Sequence, residues 1–293
     1  MKRIAILLVC CLLLTCTACT SQDTAQVAAT TLPVYEFTVR LCQGTGITVT
    51  RLVTESVSCL HDYALNVGQV KAVEAAEVIV ISGAGMEEFM EDLLEGRNTI
   101  DASQGIELLQ PEEHHHEHEE ASHEGHHHEE DPHLWLSPEY ACQMALNICN
   151  GLIRQYPQHT EIFTANFNKL AEELETLQRY GETRLANLSC HDLITFHDGF
   201  AYFAESFGLE ILRAVEEESG SEASAAELIE LIQEVRHHNL PAIFIETNGS
   251  PSAASVISAE TGAAIFSLDM AMSGDSYFDA MYHNIDTVKE ALG

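Results

Sequence analysis

Short β-rich runs alternate with helical patterns along this chain, and that alternation leaves few folds open. VAATTL is followed by a helical pattern over Val34–Leu41, then ITVTRLV, a second helical pattern over Val67–Ala76, and VIVIS. Parallel strands need long crossovers, so strand–helix–strand succession predicts a parallel sheet covered by its own helices. After Ser189 the arrangement repeats: LITF, a helix near Phe200–Phe207, and an amphipathic helix over Ala225–His237 carrying Leu228, Ile232 and Val235. AIFIE, the turn TNGSP, a short helix to Thr261 closed by Gly262, and the strand AAIFSLD complete it. The expected fold is α/β: two Rossmann-like lobes, each a mostly parallel sheet flanked by helices.

One long rigid helix should join the lobes. Between Thr160 and Leu188, Phe163, Phe167, Leu170, Leu174 and Leu177 recur at steps of 4, 3, 4 and 3. At 1.5 Å per residue such a helix is roughly 40 Å long, enough to span both lobes. Its weak point is Gly181, which costs about 1 kcal/mol relative to alanine. The same stripe suits a coiled-coil dimer, but it is too short for four clean heptads, so packing against the lobes and a monomer are expected. The predicted units are residues 28–157 for the first lobe, 158–188 for the connecting helix and 189–293 for the second lobe.

The first 19 residues read as an export signal. Lys2 and Arg3 precede an apolar run from Ile4 to Leu14, about half the ~20 residues that span a bilayer. The small residues leading to Cys19 are similar to a bacterial lipobox, with Cys16 as a competing acceptor and an ordinary signal peptide as the alternative. Acylation at Cys19 would make residues 20–27 a tether to a membrane anchor. Four of the nine cysteines fall in this leader, leaving Cys42, Cys59, Cys142, Cys149 and Cys190. That odd number leaves at least one thiol without a partner inside the chain, and no CxxC marks a zinc knuckle. Cys142 and Cys149 sit in an apolar helical pattern and read as buried small residues, and Cys59 as a bystander to His61.

Charge narrows the partners. Thirteen basic residues against 46 acidic ones give a formal net charge of −33, which excludes a phosphate-binding nucleic-acid surface and favours cations. Eight of the 16 histidines lie in one tract: His114, His115, His116, His118, His123, His126, His127 and His128. Residues 112–131 mix them with nine acidic residues and no apolar periodicity, so the tract is expected to be a loop within the first lobe. HEGHH at 123–127 satisfies HExxH, but without a helical face the zinc-protease reading fails. Neutral imidazoles beside carboxylates make weak ligands for zinc, copper or nickel, which suits a collecting loop.

Four other residues of ligand type stand at predicted strand ends or loop starts, where open α/β sheets place their ligands. They are His61 in SCLHDYAL, His133 in DPHLWLSP, His197 in TFHDGFAYFAESFGL and Asp269 in FSLDMAMSG. Three imidazoles and a carboxylate would form a tetrahedral shell suited to zinc. Each alone is a weak signal; His159, His191, His237, His238 and His283 read as surface or hydrogen-bonded residues.

The chain resembles the metal-binding proteins that serve ATP-binding-cassette importers of zinc and manganese, specifically the zinc-uptake members. LHDYAL, VKAVEAAEVIVISGAGMEEFMEDLL, DPHLWLSP, FHDGFAYFAESFGL and IFIETNGSPSAASVISAETGAAIFSLD carry the likeness, which covers nearly everything from residue 28 onward. It implies that His61, His133, His197 and Asp269 are zinc ligands. Histidine at 197, where manganese-type members carry glutamate, and a histidine-rich loop before His133 are zinc-type features. TESVSCLHDY departs from the proline- and glycine-containing loop usual before the first histidine. Trp135 reads as packing rather than as support for the ligands, and Glu246, ending a strand, as a weaker candidate for such support.

The expected function is an extracytoplasmic, lipid-anchored receptor that captures Zn²⁺ between two lobes and delivers it to a membrane permease, without enzymatic activity. The competing reading is a zinc-dependent hydrolase with an open three-histidine site. It lacks a motif-placed general base, Asp198 being the best of poor candidates.

Overall fold

The computed structural model describes residues 25–57, 60, 63–109, 131–216 and 223–293. Cys19, Cys59, His61 and the histidine tract 114–128 therefore lie outside the described residues.

The first half runs β1 (Val27–Ala29), α1 (Leu32–Cys42), β2 (Val49–Arg51), α2 (Val67–Ala75), β3 (Val78–Ile81), a short α3 (Glu91–Leu94) and β4 (Thr99–Asp101). Its strands pair in parallel in the order β2-β1-β3-β4. All three residues of β1 are fully buried, and Val78, Ile79 and Val80 of β3 are no more than 1% exposed, as expected of central strands covered on both faces. Two helices follow, α4 (Pro138–Gln155) and α5 (Thr160–Leu185).

The second half runs β5 (Asp192–His197), α6 (Ala201–Phe207), β6 (Glu210–Glu216), α7 (Ala225–His238), β7 (Ala242–Glu246), α8 (Ser252–Thr261), β8 (Ala264–Leu268) and α9 (Tyr277–Leu292). Its sheet is again fully parallel, in the order β6-β5-β7-β8, the same order as the first. Local chemistry sets the limits of these helices. Ser224 and Glu227 form a capping box at the start of α7, and Asn239 closes it in the left-handed region at φ 53°. Gly262 closes α8 at φ 83°, with its N–H donated to the Ser258 carbonyl.

The long helix expected from the sequence is the 26-residue α5, burying Phe163, Leu170, Leu174, Leu177 and Leu185, with Phe167 half-buried. It packs on α1 and α4 from the first half and on α6 and α9 from the second. Gly181 is a requirement here rather than a weak point. A Cβ there would lie 2.2 Å from Cε1 of Phe207, so the glycine lets α6 press its aromatic ring against the helix backbone.

A second seam joins the halves. The segment after β8 lies against the first half, where its carbonyls at Met270, Met272 and Gly274 accept hydrogen bonds from Trp135 Nε1 (2.7 Å), Leu32 N (3.1 Å) and Arg51 Nη1 (2.7 Å). Tyr277 returns the exchange: its hydroxyl donates to the Trp135 carbonyl at 2.7 Å, and its N–H to Glu36 at 2.6 Å. One continuous core of buried apolar side chains runs from Val27 through Trp135 and Phe203 to Leu292. Among the described residues Cys42, Cys142, Cys149 and Cys190 are free thiols. Burial pushes the Cys42 thiol up to about 12 and Cys149 up to about 11, so both act as apolar packing. No described helix is long and apolar enough to cross a membrane.

Candidate metal centre

In a parallel α/β sheet, ligands collect beyond the carboxyl ends of the strands, at the point where strand order reverses. In the second sheet that point lies between β5 and β7. His197 is the last residue of β5, Glu246 the last of β7, and both are buried, at 2% and 4% exposure. Oε1 of Glu246 lies 3.2 Å from Nδ1 of His197.

His133 reaches the same place from the other half. Asp131 Oδ1 accepts the backbone N–H of His133 at 2.9 Å and lies 2.8 Å from its Nδ1, so one carboxylate fixes both the turn and the ring. A single 3-10 turn, Leu134–Leu136, follows, and Ser137 caps α4 behind it by accepting the Tyr140 N–H. Trp135 inside that turn is fully buried, packs edge-on to His133 and hydrogen-bonds across the seam to Met270. The expectation that Trp135 packs the halves together describes its position well.

The two imidazoles face each other with ring centroids 5.4 Å apart and planes at 88°. Gly199 shows how closely the two rings approach the backbone. A Cβ on it would fall 2.8 Å from Cδ2 of His197 and 3.1 Å from Cε1 of His133, with Cε of Met270 at 2.7 Å. Cδ2 of His197 is bonded to its Nε2, and Cε1 of His133 lies between its two ring nitrogens, so both rings press close against the backbone at Gly199, where a side chain would not fit. With Asp131 accepting from Nδ1 of His133, the lone pair of that ring sits on Nε2, the tautomer a metal ligand needs.

Asp269 follows β8 directly. Its backbone exchanges two hydrogen bonds with the Asn284 side chain of α9, at 2.7 Å each, and its Oδ1 accepts the Ala271 N–H at 2.7 Å. The next residue, Met270, is the one whose methyl crowds Gly199, so the Asp269 loop borders the imidazole pair. Among the described residues no group of three His, Cys, Asp or Glu has metal-holding geometry. What they bring together is His133 and His197, with Asp269 one residue from their edge and His61 outside the description.

Asp131, Gly199 and Asn284 carry no ligand motif of their own in the sequence, and Glu246 reads there only as a weaker candidate for support. Asp131 is two residues before His133 in D-P-H, and Gly199 is two after His197 in H-D-G; both signals are local. The histidines left aside fill ordinary roles: His159 packs on Phe163, and His238 sits 3.4 Å from Asp192.

Comparison with known proteins identifies the family of the chain. Residues 27–291 match the family described as "ZnuA: Zinc-uptake complex component A periplasmic". The chain is 30% identical over 283 residues to the high-affinity zinc uptake system protein ZnuA of Bacillus subtilis, covering 92% of this chain and 88% of that one. It is 30% identical over 307 residues to the zinc-binding lipoprotein AdcA of Streptococcus pneumoniae, covering 99% of this chain and 61% of the longer relative. A crystal structure of ZnuA superposes with a TM-score of 0.78 at 28% identity, over 92% of this chain and all of that one. The Zn(II)-bound ZnuA-like domain of S. pneumoniae AdcA superposes with a TM-score of 0.74 at 27% identity, over 91% and 98% of the two chains. Members of this family are solute-binding proteins of metal transporters and not enzymes, which sets the hydrolase reading aside. The chain belongs to the zinc-uptake complex component A family of metal-binding receptors.

Proposed function

We propose that this protein is an extracytoplasmic receptor that binds Zn²⁺ through His61, His133, His197 and Asp269 and delivers it to the permease of an ABC transporter. The observation that carries the reading is the buried imidazole pair, His133 and His197, 5.4 Å apart edge to face and both packed against Gly199. Three imidazoles and one carboxylate form a closed tetrahedral shell of nitrogen and oxygen donors, which fits a zinc cargo held without an open catalytic position. The zinc-binding relatives support the same cargo.

Around this site we assign the remaining parts as follows. Residues 1–19 are a lipoprotein signal ending at the acylated Cys19, residues 20–27 are a tether, and the mature protein is a monomer on the outer face of the cell membrane. Residues 28–157 and 189–293 form the lobes on either side of the helix within 158–188. The histidines of residues 112–131 collect zinc through weak, fast-exchanging ligation. A long helix packed on both halves, together with the seam at Trp135 and Tyr277, favours modest movement over wide hinge opening.

A zinc titration by calorimetry tests this, on protein starting after Cys19 with residues 112–130 removed, repeated in the presence of manganese. One tight site per chain that manganese does not displace is expected. Loss of tight binding would place the function in the histidine tract instead. Ligating imidazoles must be neutral, and imidazole titrates at about 6.5, so affinity should fall as pH drops through that value. Affinity that stayed flat from mildly acid to neutral pH would contradict histidine ligation.

A further inference from the structure

Glu246 belongs to the site in a way that its sequence position hides. Strands β5 and β7 run parallel with Thr195 beside Phe244, and two residues further along each strand stand His197 and Glu246. An advance of two returns to the same face of a sheet, so the pairing brings the carboxylate alongside the ring. Glu246 is nearly as buried as His197, and its Oε1 is 3.2 Å from Nδ1. Cδ2, on the other side of the ring, is the atom turned to Gly199. A buried carboxylate is costly to keep unless its charge is used. Here it lies at ion-pair distance from Nδ1, the ring nitrogen away from Gly199, a longer contact than the 2.8 Å hydrogen bond by which Asp131 meets Nδ1 of His133.

We propose that Glu246 is a positioning residue for metal capture: it holds the proton of His197 on Nδ1 and so presents the Nε2 lone pair to a divalent cation. The two imidazoles would then be oriented by separate carboxylates, one from each half of the molecule. This rests on His197 being a ligand, and it extends that reading to the residue behind the ligand. Outer partners of this kind fix the tautomer and raise the basicity of the ligating nitrogen, and their loss commonly costs 10–100-fold in metal affinity.

The test uses the ¹⁵N-labelled chain, zinc-free, at about pH 8 where imidazoles are neutral. Two-bond proton–nitrogen spectra report the His197 tautomer in the unaltered protein and in Glu246→Ala and Glu246→Gln, with zinc competition titrations alongside. Expected are an Nδ1–H tautomer in the unaltered protein, a shift toward Nε2–H with 10–100-fold weaker zinc binding in Glu246→Ala, and retention of Nδ1–H in Glu246→Gln, whose amide oxygen still accepts. An Nε2–H tautomer in the unaltered protein overturns the proposal, and it decides the matter even if Glu246→Ala fails to fold. So does a Glu246→Ala variant with unchanged tautomer, whatever its affinity. His197→Ala, run in parallel, separates the two claims: wild-type zinc binding in that variant sinks the ligand assignment itself, whereas its loss beside unaffected Glu246 variants sinks only the positioning role.

Discussion

The two sheets share one strand order, yet their switch points hold opposite chemistry. In the first sheet the crevice between β1 and β3 is filled by Glu87, fully satisfied: it accepts from Thr30 Oγ1 at 2.6 Å, from the Ser82 N–H at 2.7 Å and from the Gly83 N–H at 3.0 Å. Thr31 and Ser82 add a hydroxyl pair at 2.9 Å. In the second sheet the equivalent crevice between β5 and β7 holds His197 and Glu246, and Gly199 lets His197, His133 and Met270 pack closely beyond them. The same topology thus yields a closed polar plug in one lobe and a buried imidazole–carboxylate pair facing a second imidazole in the other. Strand order supplies the crevice, and the residues at the strand ends decide whether it is framework or site.

That contrast can be broken most directly by exchanging functions between the two places. His197→Ala or His133→Ala should weaken zinc binding by more than the 10–100-fold typical of an outer partner, whereas Glu87→Gln should leave affinity unchanged, both read by chelator competition. A matching loss in Glu87→Gln would mean that the first crevice also binds the cation. Gly199→Ala comes next. Its methyl would collide with Met270, His197 and His133 at 2.7, 2.8 and 3.1 Å, so overpacking of about 1–3 kcal/mol should appear together with weaker zinc binding. Gly181→Ala collides with Phe207 at 2.2 Å and should lose stability to a similar extent with zinc affinity intact. Denaturant unfolding and zinc titration of the two variants separate site from framework.

Glu87 also sharpens the comparison through pH. Burial pushes its carboxyl up to about 7, against the pull of Thr30 and the two backbone donors. A carboxyl raised above its unfolded value stabilises the fold fully below the ordinary 4.5 and loses that contribution as pH rises through about 7. Glu87→Gln keeps a neutral group but turns the two protons of an –NH₂, where the neutral carboxyl has a single rotatable O–H, toward three donors, and should cost about 1–3 kcal/mol. The penalty should be largest near pH 5 and smaller at pH 8, measured by denaturant unfolding at both. A penalty that grew with pH would show that Glu87 is held ionised instead. Smallest of all, removing residues 112–130 should leave the affinity of the tight site within twofold and reduce only the number of weakly held zinc ions.

Much of this was readable beforehand where the signal is local. The 4-3-4-3 stripe of α5 fixes its length and buried face, and the apolar runs AIFIE and AAIFSLD become β7 and β8 because parallel strands are covered on both sides. β6 is hidden because Glu210 and Arg213 interrupt its apolar run: a strand at the sheet edge can carry charges that a central strand cannot. His133 and His197 stand out through the motifs around them. Asp131 was absorbed into the acidic tract before it, since composition cannot tell the last carboxylate of a run from one that orients a ring. Glu246 and His197 meet only through the register of β5 on β7, and Gly181 faces Phe207 only through helix packing. Neither contact leaves a mark at short range in the chain.

The most direct test of the central claim is zinc K-edge X-ray absorption on the intact chain loaded with one equivalent of Zn²⁺. The account predicts four nitrogen and oxygen neighbours at about 2.0–2.2 Å, with the outer-shell scattering of three imidazoles and no sulfur. A sulfur neighbour at about 2.3 Å, or a shell of four imidazoles, would contradict it and move the site to a cysteine or into the histidine tract.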